Sequence, residues 1–244
     1  MNSGGIFFLI IAILIASTFS AIFGLAGGAI SFSALVWIVS VKVAIPVHSG
    51  LQSITNLARV VAYFKYINWK ITLSYSILII PGAYLGSLLF GYFKTEVLQI
   101  LIGIFIIISV FISNDKQQPL KKYKFILLGF VSSFLGMIIA VTGPFIASYF
   151  NLNNIQKEEL VGTKSACQGI AQVIKIIVFY SVLHFDFQEY LTLILLLGGV
   201  SILGTFIGKK ILSKISNSVY KRLNTIILIV IGINMLIKSL IELL

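Results

Sequence analysis

The sequence is poor in charged residues, and above all in acidic ones. Only 10% of its 244 residues are charged, whereas a soluble domain carries about a quarter. Every carboxylate falls in a predicted loop or near the end of a predicted helix: Glu96, Asp115, Glu158, Glu159, Asp186, Glu189 and Glu242. A membrane-embedded aspartyl protease or a carboxylate-based proton relay would lack its essential residues here.

Cysteine and histidine are also scarce. The single Cys167 excludes an internal disulfide and leaves a thiolate metal site without a second ligand. Neither His48 nor His184 forms a recognisable catalytic motif with Asp186. We therefore predict no enzyme activity, no metal and no cofactor. His48 is one candidate for proton coupling because its charge changes near neutral pH, and an ordinary interface role is the alternative.

Hydrophobic residues, by contrast, make up 59% of the chain, and the mean hydropathy is +1.07. Apolar runs of about 20 residues recur, each long enough to cross a bilayer core about 30 Å thick. We predict an all-α polytopic membrane protein with spans at 6–22, 47–64, 71–92, 96–113, 160–183, 190–208 and 223–243. Half-length pieces are predicted near 27–41, 125–141 and 144–152. No Lys or Arg precedes the first apolar run, so we read it as a mature span and not as a signal peptide.

Glycine-rich breaks interrupt both halves of the chain. The first is Gly24-Leu25-Ala26-Gly27-Gly28 and the second is Thr142-Gly143-Pro144. Proline removes a backbone donor and glycine tolerates almost any dihedral angle, so we predict a pair of short helices around each break. Inside a membrane such a break is tolerated only where it is buried in protein or lines a cavity.

The two halves also align with one another. An offset of 112 residues brings three pairs together: Gly50 with Gly162, Ser53 with Ser165, and Asn56 with Gln168. After small gaps, Gly86 aligns with Gly204 and Gly103 with Gly232. Gly86 and Gly204 also belong to the pairs Gly82–Gly86 and Gly204–Gly208, whose four-residue spacing is typical of close helix packing. We predict a first repeat over 1–113, a basic linker over 114–124 and a second repeat over 125–244.

Positive charge tests the topology, because Lys and Arg mark cytoplasmic loops. Eight simple crossings would divide the basic loop residues almost evenly between the two sides. If 125–152 instead enters and leaves on one side, only Lys42, Lys94 and Lys238 remain on the opposite side. We therefore predict two inverted repeats, each with about four spanning helices plus a glycine-broken re-entrant or half-length helix, and both termini outside. The +11 net charge then reflects topology, and no nucleic-acid partner is expected.

Two predicted spans, 47–64 and 160–183, carry polar residues at spacings of three and four. This spacing places the polar residues of each span in a stripe on one helical face. Their side chains must face the protein interior or water. Interhelical hydrogen bonding that only holds the bundle together is the alternative for the uncharged members, but Arg59 and Lys175 have no acidic residue within a span to pair with. A mobile anion is their natural partner, and helix N-termini at the breaks would add to that preference. The predicted binding residues are Gly24, Gly27, Gly28, Gln52, Ser53, Asn56, Arg59, Thr142, Gly143, Pro144, Lys164, Ser165 and Gln168.

The order of these motifs resembles the sulfite exporter TauE/SafE family, also called the 4-toluene sulfonate uptake permease family. The resemblance rests on the Gly24–Gly28 break, the 50–56 segment (Gly-Leu-Gln-Ser-Ile-Thr-Asn), the 66–70 loop (Tyr-Ile-Asn-Trp-Lys) and the 81–86 segment (Pro-Gly-Ala-Tyr-Leu-Gly). It covers nearly the whole chain. It implies a membrane permease for small, often sulfur-containing anions such as sulfite, sulfonates or sulfoacetate.

The sequence therefore predicts a multi-pass permease of a prokaryotic plasma membrane that carries a small anion by alternating access at a midplane site. An anion channel and a non-transporting membrane partner subunit are the alternatives. The expected partners are the anionic substrate and the lipid bilayer. The sequence leaves open the particular anion, the direction of transport, any coupling ion, and whether the chain works as a monomer or a homodimer.

Overall fold

The computed structural model describes residues 3–24, 27–90, 92, 104, 121–152, 155 and 157–220, with 222, 223, 225–227, 229, 230, 233 and 237. Within these ranges the chain is helical. The helices are α1 (Ser3–Phe23), α2 (Gly27–Val36), α3 (Val41–Ala62), α4 (Trp69–Ser76), α5 (Ile79–Leu88), α6 (Lys122–Ile139), α7 (Gly143–Leu152), α8 (Lys157–Ser181) and α9 (Leu191–Leu212). The predicted spans 96–113 and 223–243, and most of the 114–124 linker, lie largely outside the described residues.

Several helices are long and apolar enough to cross a membrane. Gly4–Phe23, Lys122–Ile139 and Gln188–Leu212 meet this condition, and α4 with α5 would form a fourth span if the bent pair crosses as one. Helices α3 and α8 have a comparable length, at 22 and 25 residues, but they carry the polar stripes. The described part of the chain is thus an all-helical, multi-pass membrane protein.

The stretch predicted as one span over 71–92 is broken into two helices. Helices α4 and α5 are bent by 41° at Ile77–Leu78. Pro81 has no N–H to donate to the carbonyl of Ile77 four residues earlier, so the regular helical ladder is interrupted at this point. The span predicted over 71–92 is therefore a bent pair of helices, and its proline marks the site of the bend.

Each glycine-rich break joins a long helix to a short one that folds back beside it. After the first break, the ring of Trp37 lies 6.2 Å from that of Phe8 near the start of α1. After the second break, the ring of Phe150 lies 5.8 Å from that of Phe125 near the start of α6. The piece predicted as half-length over 125–141 is an 18-residue helix, long enough to cross. The pieces predicted over 27–41 and 144–152 do form short helices, α2 and α7, with 10 residues each.

The basic segments that the structure describes lie at one end of the bundle. The 65–70 segment contacts the start of α8, because Asn68 donates from Nδ2 to Glu159 over 3.0 Å. The end of α9 lies there too, since Lys157 donates to the carbonyl of Ile215 over 2.7 Å. Helix α6 runs parallel to α5, with Gly82 against the Phe130 backbone and Gly86 against that of Phe134, so its basic start also lies at this end. Lys42, at the start of α3, lies at the opposite end. We call these two ends of the bundle the basic end and the Lys42 end.

Close helix contacts depend on glycines at the predicted positions. Gly82 and Gly86 lie against backbone atoms of α6, while Gly204 and Gly208 lie against α1 near Ser17 and Thr18. A Cβ atom at any of these four positions would overlap the neighbouring helix. Helix α1 therefore packs against α9, and α6 packs against α5. Each long helix that precedes a glycine-rich break thus contacts a helix from the other half of the chain.

Candidate functional site

The two polar helices, α3 and α8, lie side by side in antiparallel orientation. Tyr63 near the end of α3 packs on Gly162 near the start of α8. Towards the middle, a Cβ atom on Gly169 would lie 3.5 Å from the Cβ of Asn56. Towards the other end, Lys175 lies within electrostatic range of His48. Both polar stripes therefore meet along one seam, which we call the α3–α8 seam.

The middle of this seam holds polar groups without partners. Asn56 is 1% exposed, and neither its Oδ1 nor its Nδ2 has a hydrogen-bond partner among the described residues. Ser165 is equally buried, and its hydroxyl is also unpartnered within the described ranges. Gln168 is buried in the neighbouring turn of α8. Because buried polar groups are nearly always hydrogen-bonded, an unpartnered amide and hydroxyl here are typical of a binding site.

Arg59 lies just beyond this centre and is 1% exposed. Its guanidinium donates to Ser20 Oγ over 2.9 Å, to the Gln52 amide oxygen over 3.5 Å and to the Thr55 carbonyl over 3.3 Å. All three acceptors are neutral. The charge of Arg59 is therefore solvated by α1 and α3 but not neutralised by either helix.

Lys164 of α8 lies within electrostatic range of Arg59 and is 2% exposed, so it does not extend to the membrane surface. Its Nζ donates to the carbonyl oxygen of Gly24 in the first break. A Cβ atom on Gly143 would lie 3.5 Å from this Nζ and 3.8 Å from the amide nitrogen of Gln168. Lys164 thus lies between the two breaks.

A hydrogen-bonded chain connects the start of α2 to Arg59. The Nε2 of His48 lies 3.0 Å from the Gly28 carbonyl and 3.2 Å from Ser31 Oγ. Gln52 donates to the same Ser31 oxygen over 2.9 Å and accepts from Arg59. The predicted residues Gly28, His48 and Gln52 therefore belong to one polar network, with Ser31 as the member that sequence reasoning missed.

At each break, a residue with positive φ lies three positions before the first residue of the short helix. Gly24 has φ 68° ahead of Gly27, and Ala140 has φ 57° ahead of Gly143. Glycine adopts this conformation without penalty, whereas alanine is strained in it. Ala140 precedes the predicted Thr142–Pro144 segment, and no feature of the sequence singles it out.

The other predicted residues at the breaks occupy different surroundings. Gly27 lies against the Ala16 carbonyl and Ser20, which allows α2 to begin beside α1. Thr142 is buried, and its carbonyl accepts a hydrogen bond from the N–H of Ile146 over 3.1 Å. Pro144 is buried as the second residue of α7, where its missing N–H costs no helical hydrogen bond. The starts of α2 and α7 both lie beside the α3–α8 seam, since Gly28 is next to Gln52 and Gly143 is next to Gln168.

Ser53 is the predicted site residue that the structure leaves outside this arrangement. It is half-buried, and its hydroxyl donates to the Gly50 carbonyl of its own helix over 2.7 Å. This interaction already satisfies its donor. Sequence reasoning also missed Ser20, although α1 carries Ser17 and Ser20 at the three-residue spacing that indicates a shared helix face.

The charges in this region have no acidic partner within the described ranges. Within the described ranges an ion pair joins Lys157 and Glu158 over 3.2 Å, but it lies at the end of the bundle and not in the site. No cluster of metal-ligating side chains occurs among the described residues. A cavity of about 10 Å³ touches Ser20, Gly27, Ser31, Gln52 and Arg59. That volume accommodates about one water molecule, so the site is closed in this structure.

Sequence comparisons identify the family. The family model for sulfite exporter TauE/SafE matches residues 9–235, from α1 to beyond α9. No curated protein and no solved structure matches the chain. Because the match spans most of the sequence and the described residues form membrane-spanning helices, the chain belongs to the sulfite exporter TauE/SafE family of membrane transporters.

Proposed function

We propose that this protein carries a small sulfur-containing anion, such as sulfite or a simple sulfonate, across a prokaryotic plasma membrane by alternating access. One observation carries the proposal. Arg59 and Lys164 are both buried and lie within electrostatic range of each other, with neutral oxygens as their hydrogen-bond acceptors. Two buried like charges are costly unless a counter-ion joins them. A mobile anion between them would supply that charge.

The carboxylates that the structure describes do not offer an alternative counter-ion. Glu158 pairs with Lys157, Glu159 accepts from Asn68, Asp186 accepts from the backbone of Gln188, and Glu189 is exposed just before α9. All four lie at the ends of the bundle. A cation would be repelled from the same place by Arg59 and Lys164, so the electrostatics favour anions over cations.

The site offers donors suited to an oxyanion. The guanidinium of Arg59 presents a planar set of N–H groups, and the ammonium of Lys164 has three donors. Asn56, Ser165 and Gln168 would add neutral donors whose positions select the shape of the anion. The starts of α2 and α7, where helix dipoles are positive, lie beside the same seam and would contribute further.

The arrangement of the halves supports an inverted repeat. The α1–α2 hairpin begins and ends at the Lys42 end of the bundle, while α6–α7 begins and ends at the basic end. Helices α3 and α8 cross in antiparallel fashion near Asn56 and Gln168, which are equivalent at the 112-residue offset. In this proposal a pseudo-two-fold axis passes between these two residues, and broken helices lie beside it as in many secondary transporters.

Membrane sidedness follows from the basic end. Lysines are far more numerous there than at the Lys42 end, so the positive-inside rule places the basic end in the cytoplasm and the start of α1 outside. The closed cavity then represents an occluded state, and the two halves must shift against each other before an anion can enter.

Flux through proteoliposomes tests the proposal. Purified protein is reconstituted, and uptake of radiolabelled sulfite, sulfate, methanesulfonate and acetate is measured with and without the same anion inside. Saturable uptake of sulfite or the sulfonate, accelerated by internal anion, supports a transporter. Electrical conductance without such counterflow indicates a channel, and absence of flux for every anion with folded protein contradicts the proposal and favours a partner-subunit role.

A further inference from the structure

A third buried cation, Lys175, is not used by the site proposed above. It is 2% exposed, and its Nζ has no hydrogen-bond partner among the described residues. Eleven residues of α8 separate it from Lys164, a rise of about 16 Å. The two lysines therefore enter the α3–α8 seam about three helical turns apart.

The ammonium of Lys175 lies beside a glycine near the second break. A Cβ atom on Gly136 would lie 3.6 Å from the Lys175 Nζ and 3.5 Å from the Thr142 methyl group. The absence of a side chain at Gly136 therefore leaves space for about one methyl group directly beside the ammonium. Lys175, Gly136 and Thr142 lie together where α8, α6 and the connection to α7 meet.

Other unpartnered polar atoms occur near this end of the seam. Gln172, one turn before Lys175, is 4% exposed and has an unpartnered amide oxygen within the described part of the chain. His48 lies within electrostatic range of Lys175, and its Nδ1 has no partner there either. Both atoms are hydrogen-bond acceptors, since His48 Nε2 faces the Gly28 carbonyl. A water molecule or a protonated anion such as bisulfite beside Lys175 would complete them.

We infer that Lys175, with Gly136 and Thr142, forms a second anion-binding position at the opposite end of the α3–α8 seam from Arg59 and Lys164. This inference rests on the proposed transport of an anion and adds a step to it. The unpartnered Asn56 amide lies between the two positions. An anion that leaves Arg59 and Lys164 passes this amide before it reaches Lys175. A hydrogen-bond donor is therefore available to the anion between the two positions.

Equilibrium binding tests the number of positions. Radiolabelled sulfite is titrated onto purified wild type and Lys175→Met, with Lys210→Met as the matched control because Lys210 is an exposed lysine at the end of α9. The wild type and the control are expected to bind two anions per chain. Lys175→Met is expected to bind one, with the remaining affinity within about threefold of wild type, and to lower sulfite uptake at least tenfold. One anion per chain in wild type and an unchanged variant would overturn the inference.

A second variant guards against misfolding of Lys175→Met. Gly136→Ala adds a methyl group at ordinary contact distance from Lys175 and favours the helix. It is expected to fold and still lower sulfite uptake at least tenfold, because the methyl group occupies the space beside the ammonium. Gly199→Ala, in open space on α9, is the control for this change. Wild-type uptake by Gly136→Ala would contradict the second position. If wild type itself carries no anion, the failure lies in the proposed function instead.

Discussion

Lys164 and Gly24 connect the two halves of the protein, because the lysine ammonium on α8 donates to the glycine carbonyl in the first break. In this closed state a neutral oxygen of the backbone solvates the charge. An anion that reaches Lys164 competes with the Gly24 carbonyl for the same donors. Binding would thus release the first break from α8, which gives a physical route from anion binding to movement of the halves.

Removing the charge of Lys164 should therefore stop transport. We expect Lys164→Met to lower sulfite uptake at least a hundredfold, since the anion loses a buried charge and the break loses its bond to α8. Lys164→Arg keeps the charge and should retain more uptake than Lys164→Met. Uptake by Lys164→Met within twofold of wild type would remove Lys164 from the site. The measurement is initial uptake in proteoliposomes with matched protein content.

The residues with positive φ at the two breaks predict that exchanging glycine and alanine has opposite effects on the free energy of unfolding. Gly24→Ala forces alanine to φ 68° and places its Cβ 3.0 Å from Leu160 Cδ2, so it should destabilise the protein by about 1–2 kcal/mol. Ala140→Gly relieves the strain at φ 57° and should stabilise it by roughly 1 kcal/mol. Unfolding in detergent measures both, with Gly199→Ala as the control. Shifts of the same sign would contradict the backbone explanation.

Asn56 should show a conflict between stability and function. Its amide is buried without a partner among the described residues, a situation that costs about 1–3 kcal/mol. Asn56→Leu removes that cost, so we expect higher stability of the anion-free protein together with at least tenfold lower uptake. The neighbouring Thr55 donates to Ser201 over 2.9 Å, and Thr55→Val should instead lower stability by about 1 kcal/mol. Lower stability of Asn56→Leu, with uptake retained, would mean that the amide serves packing only.

Cysteine labelling can determine the sidedness of the bundle. The native Cys167 is fully buried, so it should react little with a membrane-impermeant maleimide. We expect Lys42→Cys to be labelled in intact cells, and Lys65→Cys and Lys122→Cys to be labelled only in inside-out vesicles. Labelling of all three from one face would contradict the inverted arrangement.

Much of the helical organisation could be predicted from the sequence, because it depends on local signals. Apolar runs identify membrane helices, and Gly24–Gly28 and Thr142–Pro144 mark the breaks. Charge counting favours a re-entrant 125–152 segment, and α7 does fold back beside α6. The bend before Pro81 was missed because the apolar run continues through it, although a proline inside a helix interrupts the hydrogen-bond ladder.

The partners of the site residues were harder to predict. The pairing of Arg59 with Ser20, and of Gln52 with Ser31, depends on how α1 and α2 pack against α3. Serine in an apolar helix also bonds to its own backbone, as Ser53 does, so its presence alone does not identify a site. The strain at Ala140 likewise depends on the tertiary path of the chain.

The most direct test of buried cations as the anion site is sulfite uptake by wild type and Arg59→Ala in the same liposomes. Both proteins are first shown to be folded by their elution and unfolding behaviour. We predict saturable uptake by wild type and a loss of at least a hundredfold in Arg59→Ala, because Lys164 alone cannot hold the anion in the seam. Equal uptake by both proteins would contradict the assignment of the site.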